Sequence, residues 1–326
     1  MSWPEPPVPP RDHDARPATV PARVVAVVGP TATGKSDLAV DLALELGGEV
    51  VNADSMQLYA GMDVGTAKIT PEERRGVPHH LLDVWPVTRA AAVAEYQQMA
   101  RDRFDDVTGR GRVPLLVGGS GLYVRAALDD LRFPGTDPLV RAGWEAEGER
   151  LGAEGLHARL RAVDPAAAAR ILPSNTRRVV RALEVVEITG EPFAAAMPAP
   201  GEGSRVVPAV VVGLRRPRED LDRRVERRVD RMWRDGFVAE VEHLLDAGLE
   251  QGPTASRAVG YAQVVDLLRG RCTAEEARTR TVAATRRLVR RQESWFGADP
   301  DVVWVDADRP DAWSRVRGLV RSRLAP

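Results

Sequence analysis

Eight residues, Gly29-Pro30-Thr31-Ala32-Thr33-Gly34-Lys35-Ser36, constrain this chain more than any other stretch. They follow the apolar run "RVVAVVG" (23–29) and lead into "KSDLAVDLALELG" (35–47), where Leu38, Leu42 and Leu46 recur at helical spacing. G-x-x-x-x-G-K-[ST] between a strand and a helix is a phosphate loop. Its backbone N–H groups and the helix N-terminus bind oxyanions, Lys35 bridges phosphates, and the Ser36 hydroxyl holds Mg²⁺. Further on, "GEVVNADS" (48–55) reads as a second strand running into a polar turn. "VAEYQQMARDRFDDVTGRG" (93–111) reads as an amphipathic helix, and "VPLLVGGSGLYVRAAL" (113–128) as strand, glycine turn and helix. Strands alternating with helices predict a parallel, doubly wound sheet with its ligands at the carboxyl ends of the strands.

The expected fold class is therefore α/β, a P-loop NTPase-like parallel sheet core with an inserted helical domain. Residues 1–22, Pro-rich and charged, are expected to be a disordered tail, and 23–135 the first part of the core. Residues 136–203 lack convincing strands and read as a helical insertion, with "MPAPGEGS" (197–204) as the linker out of it. "RVVPAVVVGL" (205–214) returns to the sheet, and "DVVWVDAD" (301–308) is a late strand within a final segment, 204–326, of core completion and C-terminal helices.

Composition narrows the function class. A formal net charge of −1 makes the molecule no polycation, so an anionic partner must be met by local clusters. A single cysteine, Cys272, excludes an internal disulfide framework and suits a reducing compartment. No run approaches the ~20 apolar residues of a membrane span, and the N-terminus lacks a signal-peptide core, so a cytoplasmic location is expected. Of 46 basic residues only Lys35 and Lys68 are lysines. A lysine in this chain therefore marks a place where arginine does not serve, and Lys68, on a loop after the second strand, is a candidate for phosphate or RNA contact.

A P-loop NTPase normally ends a later strand in an aspartate for Mg²⁺. Here that strand ends in Gly-Gly-Ser, and the carboxylate stands instead at the end of the second strand, as Asp54. A strand-end aspartate is commonly a turn former, but one beside a phosphate site is a candidate base. His79 and His80 are adjacent, point apart in most backbones and have no cysteine near them, so a metal site there is not expected.

The ordered set "GPTATGKS", "NADSMQLY", "MDVGTAK", "PHHLLDV", "LVGGSGLY", "NTRRVVRALEV", "AVGYAQV" and "RRLVRRQESWF", spanning about residues 24–297, resembles the tRNA dimethylallyltransferases. That resemblance implies transfer of a dimethylallyl group from dimethylallyl diphosphate to N6 of the adenosine 3′-adjacent to the anticodon, with release of diphosphate. The loop from Gly29 to Ser36 would then hold the donor diphosphate, and no phosphoryl group would move. Lys35, Arg228 and Mg²⁺ at Ser36 would stabilise the departing oxygens, and Asp54 would accept the N6 proton. Ser120, where the family usually has threonine, keeps a hydroxyl near the substrate. Arg224 lies one helical turn from Arg228 on the same face.

An anticodon-loop adenosine must be splayed out to reach a buried donor, with backbone phosphate gripped on either side. Three arginine-bearing segments are candidates. The insertion carries Arg177, Arg178 and Arg181. The stretch 278–292 carries Arg278, Arg280, Arg286, Arg287, Arg290 and Arg291 without one acid, and is read as RNA-binding. The stretch 215–237 interleaves arginines with acids and reads mostly as a solvated face laced with i,i+4 pairs. By resemblance, tRNA contacts are Asp54, Ser55, Met56, Gln57, Lys68, Ser120, Arg141, Arg177, Arg178, Val179, Val180, Arg181, Arg257, Ala258, Val259, Gly260, Tyr261, Arg287 and Arg291. The partners are the tRNA anticodon stem-loop and dimethylallyl diphosphate, with no membrane, and the protein is expected to be a monomer. The competing readings are a P-loop small-molecule kinase, a prenyl transferase acting on free adenine nucleotides, and a non-catalytic RNA-binding protein. The absent second-strand-type aspartate, the helical insertion with its basic helix, and Asp54 beside an intact "GKS" argue against them in turn.

Overall fold

The structure, a computed structural model, describes residues 23–193, 197–198 and 204–324. The expected disordered tail (1–22) and most of the expected linker lie outside the described residues.

Six strands, β1 (Val24–Val28), β2 (Glu49–Asn52), β3 (His79–His80), β4 (Pro114–Gly118), β5 (Ala209–Arg215) and β6 (Val302–Asp306), form one sheet in the order β3-β2-β4-β1-β5-β6. All pairings are parallel. Successive residues of β1 point to opposite faces, and both faces are covered. Val25 and Val27 pack with Leu38 and Leu42 of α1 (Lys35–Leu46) and with Val316 and Val320 of a C-terminal helix. Val24, Ala26 and Val28 pack toward Tyr96 and Phe104 of α2 (Val93–Gly109) and Tyr123 of α3 (Gly121–Leu128).

Among the described residues, the insertion contains α4 (Pro138–Val163), α5 (Pro165–Arg170) and α6 (Thr176–Thr189). Asp137 caps α4 by accepting from the Leu139 and Val140 amides, Pro138 occupies its first turn, and Gly152 at φ 70° breaks it. Leu156, Leu160, Ile171, Val179, Val180 and Leu183 form a core of their own. After β5 come α7 (Arg218–Arg234), α8 (Phe237–Asp246), α9 (Tyr261–Leu268) and α10 (Ala274–Gly297); α11 (Ala312–Leu324) follows β6. Residues 79–80, weighed above as metal ligands, form the edge strand β3. No group of three or more His, Cys, Asp or Glu that could hold a metal occurs among the described residues. Nor is any described helix long and apolar enough to cross a membrane.

One buried carboxylate ties the sheet edge together. Glu49, on β2, accepts from Arg110 at 2.8 Å and contacts His80 at 2.6 Å. The Arg110 hydrogen bonds, outweighing burial and helped by His80, hold this carboxyl at about 2, below the ordinary 4.5. A carboxyl depressed in the fold contributes stability above its unfolded value and loses it as pH falls. Glu49→Gln should therefore cost about 2–3 kcal/mol at neutral pH, a penalty that shrinks between about pH 4.5 and 2 in urea titrations.

Candidate active site

The strand order decides which loops meet. β2, β4, β1 and β5 are consecutive neighbours, so their carboxyl ends present, side by side, Asp54, Gly119-Ser120, the phosphate loop and Arg216. Gly29 opens the phosphate loop at φ 126°, and a Cβ there would lie 2.5 Å from the Leu214 carbonyl oxygen of β5. Only glycine permits both that dihedral and that approach. The loop is braced from outside: Arg224 donates to the Ala32 carbonyl oxygen (2.6 Å) and Arg216 to that of Thr33 (3.2 Å). The Lys35 ammonium donates to the Pro30 carbonyl oxygen at 2.6 Å. Burial, with the Arg228 cation adding and Asp54 opposing, pushes Lys35 down to about 7.

Asp54 is fixed by an Asx-type turn. Its amide donates to Asn52 Oδ1 (2.9 Å), and its Oδ1 accepts from the Met56 amide (3.0 Å). Asn52 is itself held by donating to the Leu81 carbonyl oxygen, and the Tyr96 hydroxyl donates to the Asn52 carbonyl oxygen. Ser120 Oγ accepts from the Ser55 amide at 3.0 Å, joining the β4 turn to the β2 turn. Lys35, Arg228 and Asp54 sit close enough for each to feel the others' charge.

Two cavities converge here. One, of about 450 Å³, is lined by Asp54, Ser120, Met56, Leu122, Tyr123, Leu288 and Trp295. The other, of about 720 Å³, is lined by Lys35, Ser36, Lys68, Arg224, Arg227 and Arg231. With Arg228, its cations outnumber the acids Asp37, Asp63, Glu73 and Asp235 beside them. Arg228 and Met232 border both. An apolar chamber ending at a carboxylate thus adjoins a cationic chamber at a phosphate loop. That arrangement suits a substrate with an apolar group bonded to an anionic one.

The structure brings together Asp54, Ser55, Met56, Ser120, Thr31, Arg228, Arg257, Ala258, Val259 and Arg291 around the first cavity. Other expectations need correction. Val179 and Val180 are buried in the core of the insertion and offer RNA no surface. Arg141 and Arg181 ion-pair with the buried Glu184 but keep 38% and 26% of their own side chains exposed, so the pairing orients them without removing them from the surface. Lys68 is buried and spans Asp63 and Asp83 while donating to the Tyr59 carbonyl oxygen (3.0 Å); its rarity marks a structural site. Tyr261, expected to meet RNA through its ring or hydroxyl, is 0% exposed and donates its hydroxyl to Glu240. Gly260 is buried beneath it, against Phe237.

In α10, Arg278 pairs with Asp230 and Arg286 with Glu226, both acids on α7. The acid-free sequence thus finds its acids in space. Arg280, Arg287, Arg290 and Arg291 remain exposed, as do Arg177 and Arg178 on α6. On α7 itself the expected i,i+4 pairing occurs, as in Arg218 with Asp222.

Sequence reasoning missed Gln292. Its amide accepts from the Thr31 N–H (2.9 Å) and donates to the Gly119 carbonyl oxygen (3.0 Å), clamping the phosphate loop to the Gly-Gly-Ser turn. It lies within "RRQESWF", but no local pattern distinguishes a buried helical glutamine from a solvated one.

A family model described as IPP transferase matches residues 57–299. A tRNA dimethylallyltransferase of Thermobifida fusca is 62% identical over 302 residues, 91% of this chain and 94% of that protein. One of Streptomyces coelicolor is 61% identical over 292 residues, 89% and 93% of the two chains. Among solved structures, the full-length tRNA isopentenylpyrophosphate transferase of Bacillus halodurans aligns at TM-score 0.68 and 39% identity, covering 93% of this chain and 96% of that one. A eukaryotic dimethylallyltransferase acting on tRNA shares the fold at TM-score 0.76, with 23% identity and coverage of 92% and 78%.

Proposed function

This chain belongs to the IPP transferase family, and from that premise we propose how its site works as a tRNA dimethylallyltransferase. The enzyme transfers a dimethylallyl group from dimethylallyl diphosphate to N6 of the adenosine 3′-adjacent to the anticodon, and diphosphate leaves. The observation that carries the site assignment is the meeting of the two cavities at Arg228. The diphosphate enters the cationic chamber, onto the phosphate-loop amides, Lys35, Arg224 and Arg228. The five-carbon group extends into the apolar chamber beside Met232. The flipped adenine comes in from the other end, past Arg257 and Arg291, so that N6 meets Asp54.

N6 attacks the allylic carbon, and the C–O bond to the diphosphate breaks with its electron pair passing to the oxygen. The N6 proton goes to Asp54, whose Oδ2 has no hydrogen-bond partner among the described residues. Negative charge grows on the leaving oxygens, where the partly buried Lys35 and Arg228 present their cations. The Ser120 hydroxyl, already accepting from Ser55, is positioned to donate to the incoming base. Ser36, exposed at the first turn of α1 beside Asp37, is the residue whose hydroxyl would hold a Mg²⁺ brought in with the diphosphate. An ion bound there would neutralise charge on the diphosphate. Arg177, Arg178, Arg280, Arg287 and Arg290, exposed on two helices, grip the RNA backbone. The enzyme works in the cytoplasm as a monomer.

The acceptor class is tested by offering unmodified tRNA and AMP together with dimethylallyl diphosphate and Mg²⁺, followed by mass spectrometry. One C5H8 unit should appear on the adenosine 3′ of the anticodon and none on AMP. Prenylated AMP beside unmodified tRNA would replace this reading with a free-nucleotide transferase.

A further inference from the structure

We propose that Glu240, on α8, is a positioning residue for the donor chemistry: its carboxylate fixes the 63–66 turn, which in turn orients Arg228. The proposal rests on the assignment of Arg228 to the diphosphate. Glu240 accepts four hydrogen bonds, from the amides of Asp63 (2.9 Å), Val64 (2.6 Å) and Gly65 (3.0 Å) and from the Tyr261 hydroxyl (2.7 Å). Three consecutive amides converging on one carboxylate form a nest, a concavity of N–H groups that suits an anion. The turn they belong to is the wall between the two cavities. Asp63 and Val64 line the cationic one, and Gly65 and Thr66 the apolar one.

The turn is linked to the chemistry through one atom. The Thr66 carbonyl oxygen accepts from the Arg228 guanidinium at 3.0 Å and from Gln57 at 3.2 Å. A Cβ on Gly65 would lie 2.1 Å from the Phe237 ring, so the turn is seated directly on α8 with no room to shift inward. Without the carboxylate, three amides lose their acceptor, the turn relaxes outward, and Thr66 no longer fixes the guanidinium. Glutamine at position 240 keeps the shape but sets an NH₂ group against backbone N–H groups, so it cannot reproduce the nest.

The test compares wild type, Glu240→Gln, Arg228→Gln and the double variant. Glu240→Gln should raise KM for dimethylallyl diphosphate about tenfold, with Kd for an anticodon stem-loop, by filter binding, within about twofold. In the Arg228→Gln background the same substitution should change donor kcat/KM by less than about twofold, because the path it acts through is gone. Equal factors in both backgrounds, or a stem-loop Kd that weakens in step with donor KM, would overturn the proposal. Wild-type donor KM in Arg228→Gln alone would remove the Arg228 assignment, and this proposal with it. Should Glu240→Gln not fold, Tyr261→Phe deletes one of the four donors. It should give a smaller rise in donor KM that again vanishes beside Arg228→Gln; no rise would count against the idea.

Discussion

Asp54→Ala should lower kcat by about 10²–10⁴, the range a positioned general base supplies, while Kd for tRNA stays within about twofold. The exocyclic amine of adenine is a poor nucleophile because its lone pair is delocalised into the ring. Losing the proton as the new bond forms lowers the barrier, and only a group already in place does so without reorganisation. Asp54 meets that condition. Its backbone is held by Asn52, its Oδ1 by the Met56 amide, and the cavity floor beside it by Ser120. Asp54→Asn separates catalysis from architecture. The amide oxygen can still accept from Met56, so the turn survives, but no proton acceptor remains. Single-turnover rates with both variants are the measurement. A kcat within about threefold of wild type in Asp54→Asn would show that the proton leaves by another route.

Lys35→Met should raise donor KM and lower kcat, together costing about 10²–10³ in donor kcat/KM, the scale of losing one preorganised charge stabiliser. The pH dependence carries the sharper signature. Lys35 stands at about 7, well below the ordinary 10.5, chiefly through burial and next through Arg228. A lowered lysine is charged only below its own value. The donor-free site therefore loses this charge as pH rises through about 7, and above that point donor binding must be accompanied by uptake of a proton from solvent onto Lys35. Donor KM should climb by about tenfold per unit above that point in wild type, and the climb should disappear in Lys35→Met. A pH-independent donor KM between 7 and 9 in wild type would contradict the assignment.

Much of the core was readable because its signals are local. The phosphate loop is fixed by eight consecutive residues, and the strand runs around it have no solvent-facing period, as a doubly covered sheet requires. Asp54 could be singled out because a strand end places it, and strand ends are predictable from short apolar runs. The arginines resisted because their roles are set by which acids the fold brings against them, most of these far along the chain. Glu184 claims Arg141 and Arg181 from more than forty positions away in one case and three in the other. Arg278 and Arg286 look free in sequence, yet α7 brings Asp230 and Glu226 against them. Lys68 misled for a related reason. Its scarcity marked a compact ammonium site, but two aspartates five and fifteen residues away had already claimed it. β3, two residues long, and α11, with four arginines among thirteen residues, carry too weak an apolar pattern to announce themselves.

The central claim is that this phosphate loop serves prenyl transfer and moves no phosphoryl group. It is tested most directly by giving the enzyme unmodified tRNA, carbon-labelled dimethylallyl diphosphate and ATP labelled at the γ-phosphate, then separating the RNA. The account predicts the carbon label on the adenosine 3′ of the anticodon, diphosphate released in equal amount, and the ATP label untouched. Transfer of the γ-phosphate to any acceptor, with no carbon label on the tRNA, would contradict it.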